Sequence, residues 1–248
     1  MRTGAGLVAV LVAISATFTA CTPTAFAAGS LAGMTVVLDP GHNGVADSSI
    51  SRQVPNGRGG TKACNTSGTA TNDGYPEHSF TWDVALHIRD ALEQLGVRTA
   101  MTRDSDNGVG PCVDQRAALA NAAKPDAIIS IHADGGPPSG HGFHVNYSSP
   151  PLSDIQAGPT VELATTMRDA LVASGLTESN YMGSQGLYGR ADLAGLNLAQ
   201  YPAILVELGN MRNGTDAAQI ESPDGRMKYA KAVTDGITIN LGNKAPTR

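Results

Sequence analysis

Four side chains in this sequence have the types and settings that metal-assisted hydrolysis needs. His42 follows the run Met34-Thr-Val-Val-Leu38 across the turn Asp39-Pro-Gly, and His132 follows Ala127-Ile-Ile-Ser-Ile131. Glu207 sits inside Ile204-Leu-Val-Glu-Leu208, and Glu77 opens a helical stretch after a long polar loop. Two imidazoles and one carboxylate are the protein ligands of an open catalytic zinc site, with water at the remaining position. The carboxylate left over suits proton transfer beside that water. Each residue also has an ordinary structural reading. A histidine after a strand often bonds loop backbone, and Glu77 suits the positive end of a helix dipole. Glu207 is harder to place that way, because an unpaired carboxylate inside an apolar strand is costly to bury and needs an ion pair or a task.

The other histidines rank lower. Helical geometry turns His78 roughly 100° away from Glu77. His87 is expected at the surface of its helix, and His141 and His144 flank a strand start from which either could line the cleft. Competing chemistries lack their signatures. Gly183-Ser-Gln-Gly186 does not have the spacing of a G-x-S-x-G nucleophile elbow, and no H-E-x-x-H occurs. A cysteine nucleophile would need Cys64 or Cys112 reduced.

The elements that must position these residues alternate along the chain. Apolar runs at 34–38, 97–102, 127–131, 143–147 and 203–208 read as strands. Phe80, Val84, Ile88, Leu92 and Leu95 form one helical stripe closed by Gly96. Asp114 is the expected N-cap of an Ala-rich helix reaching Ala123. Val161, Ala164, Met167 and Leu171 mark a helix ended by Gly175, and Met227, Ala230, Val233 and Ile237 mark another after Pro223. Strands alternating with helices predict a single α/β domain with a mostly parallel central sheet flanked by helices. Its site belongs at the carboxyl ends of the strands.

The chain has 248 residues, 41% hydrophobic and only 4% aromatic, with a mean hydropathy of −0.11. That length suits one domain with a core of Ala, Val, Leu and Ile. The net charge is −5 and no run of Lys and Arg is present, which argues against a nucleic-acid partner. Arg2, the short apolar stretch Leu7 to Phe18 and Ala25-Phe26-Ala27 read as an export signal cleaved near Ala27. A lipid anchor at Cys21 is the rival, disfavoured by Phe18 three positions before it. The expected division is 1–27 signal peptide, 28–241 catalytic domain and 242–248 loose tail, leaving a monomer with no transmembrane segment in the periplasm, cell wall or medium. Export also favours a Cys64–Cys112 bridge over free thiols. The Gly-, Ser-, Thr- and Asn-rich segment 45–74 that carries Cys64 reads as a long loop or a hairpin, and it is either a lid or simply stapled in place.

The blocks Val36-Val-Leu-Asp-Pro-Gly-His42, Thr102-Arg103, Gln115-Arg116 with Ala120-Asn121, and Ile128-Ile-Ser-Ile-His132-Ala133 resemble those of the zinc-dependent N-acetylmuramoyl-L-alanine amidases. Pro202-Ala-Ile-Leu-Val-Glu207-Leu-Gly209, with Asn213 beyond it, is similar to the last catalytic strand of that family. The order is right, and the likeness to the secreted single-domain form known from mycobacteria covers nearly all of the mature chain. The resemblance implies Zn2+ held by His42, Glu77 and His132, catalysis by Glu207, and cleavage of the amide between N-acetylmuramic acid and L-alanine in peptidoglycan or muropeptides. Asp134, where Asn is common, and Asn210-Met-Arg depart from the pattern at the rim of the cleft. Many relatives carry wall-binding modules and this sequence shows none, so soluble muropeptides are the expected preference. A zinc peptidase acting within the stem peptide and a silent wall-binding module are the alternatives.

Overall fold

The computed structural model describes residues 31–244, together with Met1. Residues 2–27 of the expected signal segment, its cleavage point, Cys21, and residues 245–248 of the tail lie outside the described residues.

The apolar runs build a six-stranded sheet from β1 (Thr35–Pro40), β4 (Arg98–Met101), β5 (Ala127–Asp134), β6 (His144–Ser148), β7 (Leu187–Arg190) and β8 (Ala203–Asn210). The spatial order is β4-β1-β5-β8-β6-β7. The first four strands in that order run parallel; β6 lies antiparallel to β8, and β7 runs parallel to β6. The segment 45–74 holds a hairpin of β2 (Gln53–Pro55) and β3 (Thr61–Ala63). Helix α7 (Pro223–Lys244) packs against both α1 (Glu77–Gln94) and α4 (Pro159–Ala173), which in turn pack on the sheet. The shorter α2 (Val113–Ala122), α3 (Asp154–Ala157), α5 (Ala194–Asn197) and α6 (Gly214–Glu221) complete the domain.

Strand periodicity decides which side chains meet which layer. Leu38, Ile129, Ile131, Ile204 and Val206 point into the main core with α1, α4 and α7. Their neighbours Val37, Ile128, Ala203 and Leu205 join a smaller cluster with Ala120 of α2 and Leu196 of α5. Ser130, His132 and Glu207 continue this second set toward the carboxyl ends of β5 and β8. A slip of one residue would send the histidine and the glutamate into the main core.

Local signals explain most boundaries. The last turn of α1 closes at Gly96 (φ +80°), where the Val97 N–H donates to Leu92 O and the Gly96 N–H to Glu93 O. That is a Schellman cap, and it needs a residue tolerant of positive φ. Some expectations shift. The N-cap of α2 is Cys112 rather than Asp114, which sits in the first turn; the Cys112 N–H donates to the Gln115 side chain. Val161 and Met227 are exposed, so α4 buries Leu163 and α7 buries Tyr229 beside the expected residues. The helix α7 runs through Lys244, so 242–244 are helical rather than loose. The strand β7 and the helices α3, α5 and α6 are new. All are short, and Leu-Tyr-Gly-Arg carries no apolar alternation.

Candidate active site and metal centre

The turn after β1 brings the first histidine into place. His42 adopts φ +61°, a region that non-glycine residues rarely occupy. Arg116 of α2 holds this turn from below, donating to the carbonyls of Pro40 and His42 and to the Asn43 side chain. The same guanidinium meets Asp39 at 2.8 Å, and Thr102 and Ser130 also donate to that carboxylate. Burial pushes the Asp39 carboxyl up, but Arg116 and the two hydroxyls outweigh it and hold it near 2. Arg103 fastens the neighbouring loop, donating to Pro40 O, His78 O and Asp106. The resemblance blocks Thr102-Arg103 and Gln115-Arg116 are therefore the scaffold of the His42 turn.

Glu77, at the start of α1, is 4% exposed and lies between the two histidines. Its Oε2 is 3.0 Å from His42 Nε2 and its Oε1 is 3.0 Å from His132 Nδ1. The backbone N–H groups of Thr69 and Ala133 also donate to this carboxylate. Burial would raise its carboxyl, yet the two imidazoles outweigh burial and the net shift is downward. His42 Nδ1 lies 2.9 Å from Thr66 O, a contact that takes the ring N–H and leaves Nε2 as the free lone pair. The ligand atoms of His42, Glu77 and His132 fall within 4.8 Å of one another. Two imidazole nitrogens and a carboxylate so gathered form a group able to hold a metal ion, and their types suit zinc.

Glu207 is the register partner of His132 on the adjacent strand. It makes no contact that would count it among the three, and its Oε2 is buried without a partner. Burial, then the charges of Glu77 and Asp134, raise its carboxyl well above the usual range against the opposing pull of Arg190. All four residues line one cavity of about 420 Å³. Its other end is an apolar floor of Ile128 and Leu205 between Ala120 and Leu196, and Lys62, Arg190 and Asp192 stand on its wall.

The remaining histidines separate. His78 is bound to Asp106 at 2.9 Å, and His87 is exposed beside Asp83. His141 faces a second cavity of about 280 Å³ with Asp216 and Tyr229. His144 is buried directly opposite Glu207. Asp134 accepts from the Tyr181 hydroxyl at 3.0 Å, and Asn210 ties down the 137–140 loop by donating to Pro137 O and Gly140 O. The two departures at the rim thus each fix a loop. Tyr181, Tyr188 and Arg190 carry no sequence signal that marks them for this site.

Cys64 and Cys112 form a disulfide with a Cα separation of 4.5 Å, joining the end of β3 to the start of α2. No helix among the described residues is long and apolar enough to cross a membrane.

The sheet, the cleft at its strand ends and a His–Glu–His group able to hold a metal ion are the architecture of a hydrolase. Residues 36–239 match the protein family described as N-acetylmuramoyl-L-alanine amidase, and the chain belongs to that family. It is 63% identical over 219 residues to an N-acetylmuramoyl-L-alanine amidase of Mycobacterium tuberculosis, covering 88% of this chain and 91% of that protein. Its structure is similar to the crystal structure of the N-acetylmuramyl-L-alanine amidase of Mycobacterium smegmatis, with a TM-score of 0.86 at 63% identity, over 86% of this chain and 99% of that one. The corresponding amidase of Mycobacterium abscessus gives 0.84 at 65% identity, over 85% and 99% of the two chains.

Proposed function

We propose that this protein hydrolyses the amide between N-acetylmuramic acid and L-alanine in peptidoglycan or its soluble fragments, with zinc held by His42, Glu77 and His132 and proton transfer by Glu207. The observation that carries the reading is the convergence of the three ligand side chains beside a glutamate that is not one of them. Zinc, when bound there, supplies a Lewis acid for the amide carbonyl and draws the pKa of water toward 7. Glu207 accepts a proton from the attacking water and passes it to the L-alanine nitrogen as the C–N bond breaks. The products are a lactyl carboxyl group on the sugar and a free amine on the peptide. A carboxyl raised by burial is suited to both halves of that transfer, because it binds the proton firmly enough to take it and still returns it. Arg116 and Thr66 keep His42 turned toward the ion.

Glu207→Ala should keep its metal and lose at least about 100-fold in turnover, whereas His42→Ala should lose both. Metal analysis with mass spectrometry of digested muropeptides reads both outcomes. Normal hydrolysis by the Glu207 variant removes its assigned role, and new termini inside the stem peptide in place of a free L-alanine amine favour the peptidase. Export is part of the reading, and mass spectrometry of the mature N-terminus tests cleavage near Ala27 against an anchor at Cys21. Tight pull-down on purified insoluble wall would count against the preference for soluble muropeptides.

A further inference from the structure

Two buried polar atoms on facing residues of the catalytic wall lack partners, and the proton transfer described above uses only one of their side chains. Glu207 Oε2 and His144 Nδ1 are each buried with no hydrogen bond. The antiparallel pairing of β6 with β8 sets the two residues directly opposite each other. Their side chains therefore leave the same face of the sheet, with Cβ atoms about 5 Å apart. Tyr181 and Tyr188 close edge-on around the His144 ring at 6.4 and 6.1 Å between centroids, and the residue is 1% exposed. Tyr181 commits its hydroxyl to Asp134. A buried polar group left unpaired is costly. One acceptor beside one atom able to donate is an arrangement that a hydrogen bond or a single bridging water resolves.

We propose that His144 is a positioning residue for Glu207: its Nδ1–H donates, directly or through one water, to Glu207 Oε2 and so presents Oε1 to the attacking water. The proposal rests on the reading of Glu207 as the proton-transfer group. An uncharged donor is what the position calls for. Burial holds the His144 imidazole down at about 4, with Asp134 pulling it up and Arg190 pushing it down, so the ring is neutral at neutral pH. A cation placed there would favour ionised Glu207 and weaken it as a base. A neutral ring fixes the carboxylate and leaves more of its proton affinity intact.

Variants of the zinc-loaded full chain test this. His144→Phe keeps an aromatic ring and removes the donor, His144→Asn places an amide nitrogen near Nδ1, and His144→Gln places one near Nε2. The Phe and Gln variants should lose about 10- to 100-fold in kcat at unchanged KM and metal content, and Asn should recover most of the loss. Nitrogen-15 NMR of the parent should show a protonated Nδ1 whose signal moves in Glu207→Gln. Full kcat in the Phe variant, equal losses in Asn and Gln, or an unprotonated Nδ1 overturns the proposal. The NMR reading needs neither turnover nor a folded Phe variant. An inactive Glu207→Gln together with an unprotonated Nδ1 would remove the role of His144 and leave that of Glu207 standing.

Discussion

At the scale of single residues, the site depends on an arginine that touches none of the ligand atoms. Arg116 offers its guanidinium to a carboxylate, three carbonyls and an amide at once, which a lysine ammonium cannot match in geometry. Arg116→Lys should relax the positive-φ turn at His42 and weaken metal binding about 10- to 100-fold, measured by competition with a chromogenic chelator. Titration gives a second expectation. The His144 imidazole sits at about 4 when folded against 6.5 when free, so the unfolded chain binds a proton that the folded one refuses. Stability should be full above pH 6.5 and fall by about 3 kcal/mol as the pH drops toward 4. Asp39, held near 2 against 3.8, keeps its stabilisation above pH 3.8 and loses it as the pH falls toward 2. Thermal unfolding against pH should show the two declines in sequence, with the first reduced in His144→Phe.

At the scale of elements, two joints carry the architecture. The hairpin β2–β3 is fixed by the disulfide and also by Arg58, which donates to Asn197, Ser148 and Pro150, and by Lys62, which donates to Asp192 O. With so many fastenings the bridge is expected to act as a staple. Replacing both cysteines by serine should cost about 4 kcal/mol for a 48-residue loop and leave kcat unchanged, read by denaturant unfolding beside steady-state kinetics. A change in kcat would restore the lid. The second joint is the approach of the β1 turn to β5: a Cβ on Gly41 would lie 2.3 Å from His132 Cε1, so Gly41→Ala should displace that imidazole and cost metal. The strands that lead to His42 and carry His132 and Glu207 were legible from sequence because apolar β-branched runs announce buried strands. Which glutamate joins the histidines was not legible from the residues alone, since Glu77 enters from a helix and only the family resemblance assigned it. The facing of His144 and Glu207 across 63 residues depends on strand register, and no local pattern encodes that. The strand β7 is too short to show a period.

At the scale of the whole molecule, the candidate ligands come from three separate pieces of the fold: the turn after β1, the first residue of α1 and the interior of β5. An ion gripped by all three rivets a strand to a helix and to a second strand. Loading it should therefore raise the melting temperature in proportion to the logarithm of free zinc, and chelation should reverse this. The effect should also be uneven. Opening that parts β1 from β5 has to surrender the ion, so amide exchange in those strands should slow on loading, while the edge strand β7 keeps its own rate. A protease added to the stripped protein should then find its first cuts around the rivet, and the same sites should fall silent once the ion returns.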